Sequence, residues 1–270
     1  MQVVLIGDSH THFVIPGLNA YLEKNPIEFA SRVTGRMLGN GAYMARPFFR
    51  ADDDRVMFTV ETYKASFASI TGRDWLSRDD PNIYAISMGF HSARVYKSDV
   101  WRRYAPWSLA SSYDRTPLST ATIEAISEDD NKFIFAFLSV LLDLNVKFFV
   151  ISAPPPKRTH FAIRKNNIPP EIVLEVDRIY RAVTARFLDR FGIAYVLPPP
   201  SAYDGEGFMS REFNSNPNDP HHANAAFGEL LAPYLIEEMC RLGAASPKAS
   251  RQTSEFASSA MRTDVTGGQS

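Results

Sequence analysis

Two kinds of apolar run alternate along this chain, and their alternation predicts the architecture. Val3-Val4-Leu5-Ile6 is an uninterrupted aliphatic run closed at once by Gly7-Asp8-Ser9-His10. That is the pattern of a strand buried on both faces and ending in a sharp turn. Residues 82–88 (NIYAISM), 146–152 and 193–197 repeat it, and residues 27–33 predict a further strand. Between these runs the apolar positions take a helical period. Residues 16–24 predict a short helix, and residues 120–144 a long one with an acidic first part and an apolar second half. Pro169-Pro170-Glu171 opens another, whose Ile172, Val176, Ile179, Val183 and Phe187 share a face while Arg178, Arg181, Arg186 and Arg190 project elsewhere. A last helix is expected over residues 223–242, ended by Gly243. For residues 55–63 and 64–76 the pattern suggests a short strand and then a helix.

Strands alternating with helices predict an α/β fold: a doubly wound, flavodoxin-like sheet of about five parallel strands with helices on both faces. Residues 1–243 read as one domain. Residues 244–270 are rich in Ser, Ala and Thr, poor in large apolar side chains, and read as a disordered tail. No internal repeat interrupts the order. Three glycines within residues 35–41 mark a backbone that turns tightly or approaches a ligand. Residues 92–119 follow neither period and carry Trp101, Tyr104, Trp107 and Tyr113, the reading of a lid or binding loop. The loops 154–169 and 198–218 are expected to crowd the same rim.

Composition narrows the class without changing that picture. With 270 residues, 45% of them hydrophobic and 22% charged, the chain is long enough for a sizeable core. A formal net charge of −1 provides no field to attract nucleic acid or an anionic membrane, so neither is expected as a partner. The single cysteine, Cys240, makes no internal disulfide and no structural zinc site. No signal-peptide pattern precedes the first run and no stretch of about 18 apolar residues occurs. The expectation is a cytoplasmic protein with no membrane span and an oligomeric state that composition leaves open.

The chemistry lies at the two ends of the chain. In an open α/β sheet the reactive groups sit at the carboxyl ends of the strands, which places Ser9 at the crevice. A hydroxyl is a poor nucleophile near neutral pH and needs an imidazole within hydrogen-bond reach, itself oriented by an acid. Asp219 and His222, three apart before the last helix, supply both from one segment. Donors for a tetrahedral oxyanion are then sought at the Ser9 N–H, at a glycine N–H after the second strand and at a side chain closing the third.

These residues together carry a resemblance. Gly7-Asp8-Ser9, the glycine loop, the turn Gly89-Phe90-His91-Ser92 and Asp219-x-x-His222-x-Asn224 resemble the blocks of the SGNH/GDSL hydrolase superfamily, over residues 3–242. The resemblance implies Ser9 as nucleophile, His222 as base and Asp219 as its acid. It implies an oxyanion hole from Ser9, Gly41 (with Gly39 as the alternative glycine) and His91, which stands where the family has asparagine. His10 replaces the usual leucine, and this GDSH version is similar to domains acting on glycan O-acyl groups. The implied activity is a serine esterase cleaving a small acyl ester, with a small molecule or glycan as partner and no cofactor or metal. His10, Trp101 and Trp107 are the expected substrate contacts, with Tyr104 beside them. The aromatic residues serve equally to fold the loop onto the body. Arg102, Arg103, Lys157 and Arg158 either meet an anionic group or are solvated. Three other readings stand beside this one. His10 and His12, with His91, His160 and His221 or Asp219, suit a metal-dependent amidohydrolase-like barrel, although too few strands are counted for it. An SGNH-like fold with an altered third block also suits a binding module, and the same triad serves an acyltransferase.

Overall fold

The computed structural model describes residues 2–27, 33–214, 216 and 218–244. In chain order the elements are β1 (Val3–Gly7), α1 (Thr11–Lys24), β2 (Val33–Met37), β3 (Phe49–Ala51), β4 (Arg55–Phe58), α2 (Glu61–Thr71), β5 (Trp75–Ser77) and β6 (Ile83–Ser87). There follow α3 (Ala93–Tyr96), β7 (Tyr104–Pro106), α4 (Trp107–Ala110), β8 (Thr116–Leu118), α5 (Thr120–Asp143), β9 (Lys147–Ile151), α6 (Phe161–Arg164), α7 (Pro170–Arg190), β10 (Tyr195–Val196) and α8 (Ala225–Ala244). Five strands form one parallel sheet in the order β2-β1-β6-β9-β10. This is the doubly wound α/β order of a flavodoxin-like sheet, and it reverses direction between β1 and β6.

The aliphatic run of β1 shows why the sheet forms. Val3 and Leu5 pack with Phe13, Val14, Phe227 and Leu231 of α1 and α8, while Val4 and Ile6 pack toward Phe137 and Leu141 of α5 and Val183 of α7. Each side chain is at most 3% exposed, and full burial of one such residue stabilises the fold by roughly 1.5–3 kcal/mol. On the first face α1 and α8 cross with no side chain between them. A methyl group on Gly228 would lie 2.1 Å from the Phe13 carbonyl oxygen and 3.1 Å from Gly17 Cα. The helix that follows Ser9 and the helix that follows His222 are therefore held backbone to backbone. At the end of β1, a Cβ on Gly7 would stand 2.4 Å from the Ser87 carbonyl oxygen, so only glycine lets the Ser9 turn leave the sheet this close to β6.

Several elements differ from their sequence-based bounds. Helix α1 begins at Thr11 rather than residue 16. The amides of Thr11, His12 and Phe13 bond the carbonyls of Asp8, Ser9 and His10, so the turn runs straight into the helix. Pro16 is accommodated inside it at the cost of one hydrogen bond. The second strand starts at Val33, and Gly35 belongs to it rather than to a turn, with Leu5 Cβ only 2.7 Å from where its own Cβ would be. Residues 28–32 of the expected strand, and 245–270 of the expected tail, lie outside the described residues. Strands β3, β4 and β5 form a small antiparallel sheet of which only a strand near β4 is expected, because runs this short carry no period. Residues 92–119 are not an irregular lid but a folded insert of short helices with β7 paired to β8. A five-stranded open sheet also removes the barrel needed for the amidohydrolase-like reading. No helix among the described residues is long and apolar enough to cross a membrane.

Candidate active site

Ser9 and His222 each sit just ahead of a helix, at the carboxyl end of the sheet, and the α1–α8 crossing brings them together across 213 positions of sequence. His222 Nε2 lies 2.7 Å from Ser9 Oγ. On its other side, His222 Nδ1 is 2.9 Å from one Asp219 carboxylate oxygen and 3.1 Å from the other. Asp219 also accepts the backbone N–H of His221 and His222, which closes the segment into a tight turn. Burial alone would raise the Asp219 carboxyl; the two amides and the His222 ring outweigh it and hold the group at about 2. His222 itself is pushed below the ordinary histidine range, first by burial and then by His10, against the pull of Asp219. A neutral imidazole facing a hydroxyl, with a carboxylate fixing the other nitrogen, can take the hydroxyl proton and stabilise the resulting imidazolium.

The Ser9 turn is supported from below by Asp8, which is 2% exposed. One Asp8 oxygen takes the His10 backbone N–H at 3.0 Å and its ring Nδ1 at 2.8 Å. The other lies 3.4 Å from His91 Nδ1. Burial opposes the charge on Asp8, yet His10 and His91 keep it well below the usual carboxylate range. The glycine loop closes over the same carboxylate. Leu38 N–H donates to the Gly7 carbonyl at 2.8 Å, and a Cβ on Gly41 would stand 3.1 Å from Asp8 Oδ2. Gly39 instead abuts the Tyr63 ring. Between the two candidate glycines, Gly41 is the one beside the Ser9 turn. Among the described residues neither the Ser9 nor the Gly41 N–H is taken by a backbone acceptor.

His91 closes β6 next to both. Its two ring nitrogens are buried without a hydrogen-bond partner. Burial, then His10, pushes it down to about 3, so the ring is neutral and has one N–H to offer. His10, His221 and His222 form a contiguous group with it; ring centroids are 4.3 Å apart for His10–His91 and for His221–His222. His221, also pushed to about 3 by burial first, lies 5.3 Å from His91, but its ring makes none of the bonds that the His222 ring makes to Asp219 and Ser9. Asp8, His10 and His91 place donor atoms within 4.8 Å of one another, the one grouping among the described residues with metal-ligand chemistry. His10 Nδ1 is already committed to Asp8, and His12 is exposed on α1, so the His10/His12 pair does not converge.

Other predicted contacts fall differently. His10 is 1% exposed and belongs under the Ser9 turn rather than on a binding surface. Trp101 is equally buried, with its indole N–H on the Val95 carbonyl at 2.9 Å, among Tyr96, Ile172 and Val176. It folds the insert onto the body and has no free face for a substrate. Trp107 is 73% exposed. Lys157, read as a surface charge, is 1% exposed: its ammonium donates to the Asp219 carbonyl at 3.0 Å and to Asn214 Oδ1 at 2.9 Å. It pins the turn that carries Asp219 and His222. Arg94 is likewise buried, paired with Asp130 and reaching the Gly41 carbonyl at 3.4 Å. Asn131 and Thr184 both donate to the carbonyl of Gly89, whose φ of +90° turns the chain toward His91. None of these supports had a local signal, since each partner is more than 35 residues away.

No protein-family model and no curated protein sequence matches the chain. Among solved structures, one assigned as an acylhydrolase from Bacteroides fragilis is similar over 89% of this chain and 86% of its own, at 10% identity and a TM-score of 0.50. A GDSL-like lipase from Bacteroides thetaiotaomicron covers 89% and 88% at 11% identity and a TM-score of 0.46. An acetyl xylan esterase covers 88% and 98% at 12% identity and a TM-score of 0.48. The likeness is one of fold: the chain shares its α/β architecture with the acylhydrolase structure from Bacteroides fragilis.

Proposed function

We propose that this chain is a serine esterase that cleaves a small acyl ester, with Ser9 as nucleophile, His222 as base and Asp219 as the acid that orients it. The observation that carries the reading is the hydrogen-bonded line Ser9–His222–Asp219, assembled from opposite ends of the sequence. Ser9 Oγ attacks the ester carbonyl carbon while its proton passes to His222 Nε2. Asp219 holds Nδ1–H and stabilises the imidazolium. The carbonyl oxygen, now an alkoxide, is received by the Ser9 and Gly41 N–H groups and by His91, with the positive end of α1 behind them. Collapse breaks the bond to the alcohol oxygen, which leaves with the proton from His222. Water then repeats the sequence on the acyl-serine, returning the acid and Ser9.

Asp8 and Lys157 act through other groups. Asp8 holds the Ser9 turn through the backbone N–H and ring of His10, and Lys157 holds the backbone of the Asp219 turn. An O-acyl group on a carbohydrate is the substrate class favoured by the GDSH form of the first block.

The test is labelling and turnover. A fluorophosphonate probe should modify Ser9 in the wild type, and Ser9→Ala should lower kcat on a short aryl ester by about 10³-fold or more without loss of folding. His222→Ala should be nearly as damaging, and the double variant little worse than either. Undiminished turnover by Ser9→Ala would remove the assignment.

A further inference from the structure

Beside the turn that carries His222 lies a cleft of about 520 Å³, lined by Thr159, Phe161, Arg164, Lys165, Asn218 and Pro220. Its size is that of a small-molecule site. Two of its six lining residues are cations, and none is an acid. Arg164 and Lys165 are exposed, and neither has an acidic partner among the described residues. Arg158, close by in sequence, differs: Asp204 and Glu206 neutralise it. Phe161 stacks on the buried His160 ring at 4.4 Å, giving the cleft one flat apolar wall, and Thr159 and Asn218 bring a hydroxyl and an amide. Positive charge also lies behind that wall: after burial, Lys97 and Lys157 are what push His160 down to about 4.

The direction of the reaction says which half of an ester this cleft faces. His222 hands its proton to the departing oxygen, so the alcohol leaves over the histidine turn. Asn218 and Pro220 belong to that turn. The acyl oxygen points the other way, toward Gly41 and His91. We infer that the cleft is the leaving-alcohol subsite and that it selects alcohols bearing an anionic group, a carboxylate, sulfate or phosphate, through Arg164 and Lys165. The inference rests on the serine-esterase reading and adds the charge of the substrate to it.

The experiment compares acetyl esters of one sugar alcohol that differ only in charge. The set is O-acetylated methyl glucoside, the corresponding glucuronoside, and the glucoside carrying a 6-sulfate or a 6-phosphate. The readout is the ratio of kcat/KM for each anionic ester to that for the neutral one. Exposed ion pairs are weak and screened by salt, so the wild-type ratio should be about three- to tenfold at low ionic strength and fall toward one at 1 M salt. In Arg164→Gln/Lys165→Gln the ratio should collapse to about one, mainly through KM, and Arg164→Glu/Lys165→Glu should invert it. The three anionic arms separate a general anion site from one built for a single group. A wild-type ratio of one with Ser9-dependent hydrolysis of the neutral ester would overturn the subsite and leave the esterase standing. No Ser9-dependent hydrolysis of any ester, aryl acetate included, would remove both.

Discussion

Replacing Gly228 by alanine tests whether the α1–α8 crossing sets the geometry of the site. The new methyl group would lie 2.1 Å from the Phe13 carbonyl oxygen, where real Cβ contacts stay above 3.0 Å. The neighbours are backbone atoms, so no side chain can swing aside, and the helices must part by about 1 Å. Ser9 and His222 stand at the heads of these two helices, 2.7 Å apart. A displacement of about 1 Å passed to that contact takes it beyond hydrogen-bond range, and misplacement of this size costs about 10²-fold in rate. Overpacking should cost about 1–3 kcal/mol of stability, which lowers Tm by roughly 2–12 °C for a chain of this size. The assay is kcat per folded molecule on an aryl acetate, with Tm and the rate of fluorophosphonate labelling measured alongside. Leu235→Ala is the control: it empties a buried position in the α8 core and should cost about 2–5 kcal/mol while leaving kcat per folded molecule near that of the wild type. Gly228→Ala with wild-type kcat, at whatever Tm, would refute the link between helix crossing and catalytic geometry.

Three further outcomes are expected. His91→Asn should retain or raise kcat, because an amide N–H donates in any protonation state, whereas His91→Ala should lower kcat about 10²–10³-fold with little change in KM; a fully active alanine variant would remove His91 from the site. Lys157→Met leaves the Asp219 carbonyl and Asn214 without their shared donor, so kcat should fall about tenfold or more and Tm should drop with it; unchanged kinetics would show that the turn holds itself. As the proposed base, His222 has to be neutral, and it is held below the ordinary histidine range, so the acid limb of kcat/KM should lie below about pH 6.5. Stability should be lost over a related window. Burial, complete for His160 and partial for His91 and His221, holds these rings neutral with values of about 4, 3 and 3, so only the unfolded chain gains their protons as pH falls from about 6.5. The urea midpoint should decline from there toward pH 3, and these groups should add no pH dependence above about pH 7; a flat midpoint between pH 7 and 4 would refute it.

Much of this protein was legible locally. Apolar runs closed by glycine or proline, as at residues 3–6, 82–88, 146–152 and 193–197, bury both faces and turn sharply, and with helical periods between them they leave few ways to assemble a sheet. The motif spacing that singled out Ser9, Asp219 and His222 is local at each end, because the turn that presents each side chain is made by its own neighbours. Asp219 bonding two amides of its own turn is an instance.

What only the tertiary structure decided depends on partners far away in sequence. Gly39 and Gly41 are equivalent as text; one meets Tyr63 and the other Asp8. Lys157 and Arg158 are adjacent charges, yet one is buried on the Asp219 carbonyl and the other lies paired at the surface. Trp101 and Trp107 both read as candidates to stack on a sugar, and packing against α7 buried the first alone. The closeness of α1 to α8 rests on two glycines whose role appears only when the helices cross. Periodicity records which face of an element is buried. It does not record against what, because burial energy follows the area removed from water, whereas hydrogen bonds and backbone contacts depend on the position of particular atoms.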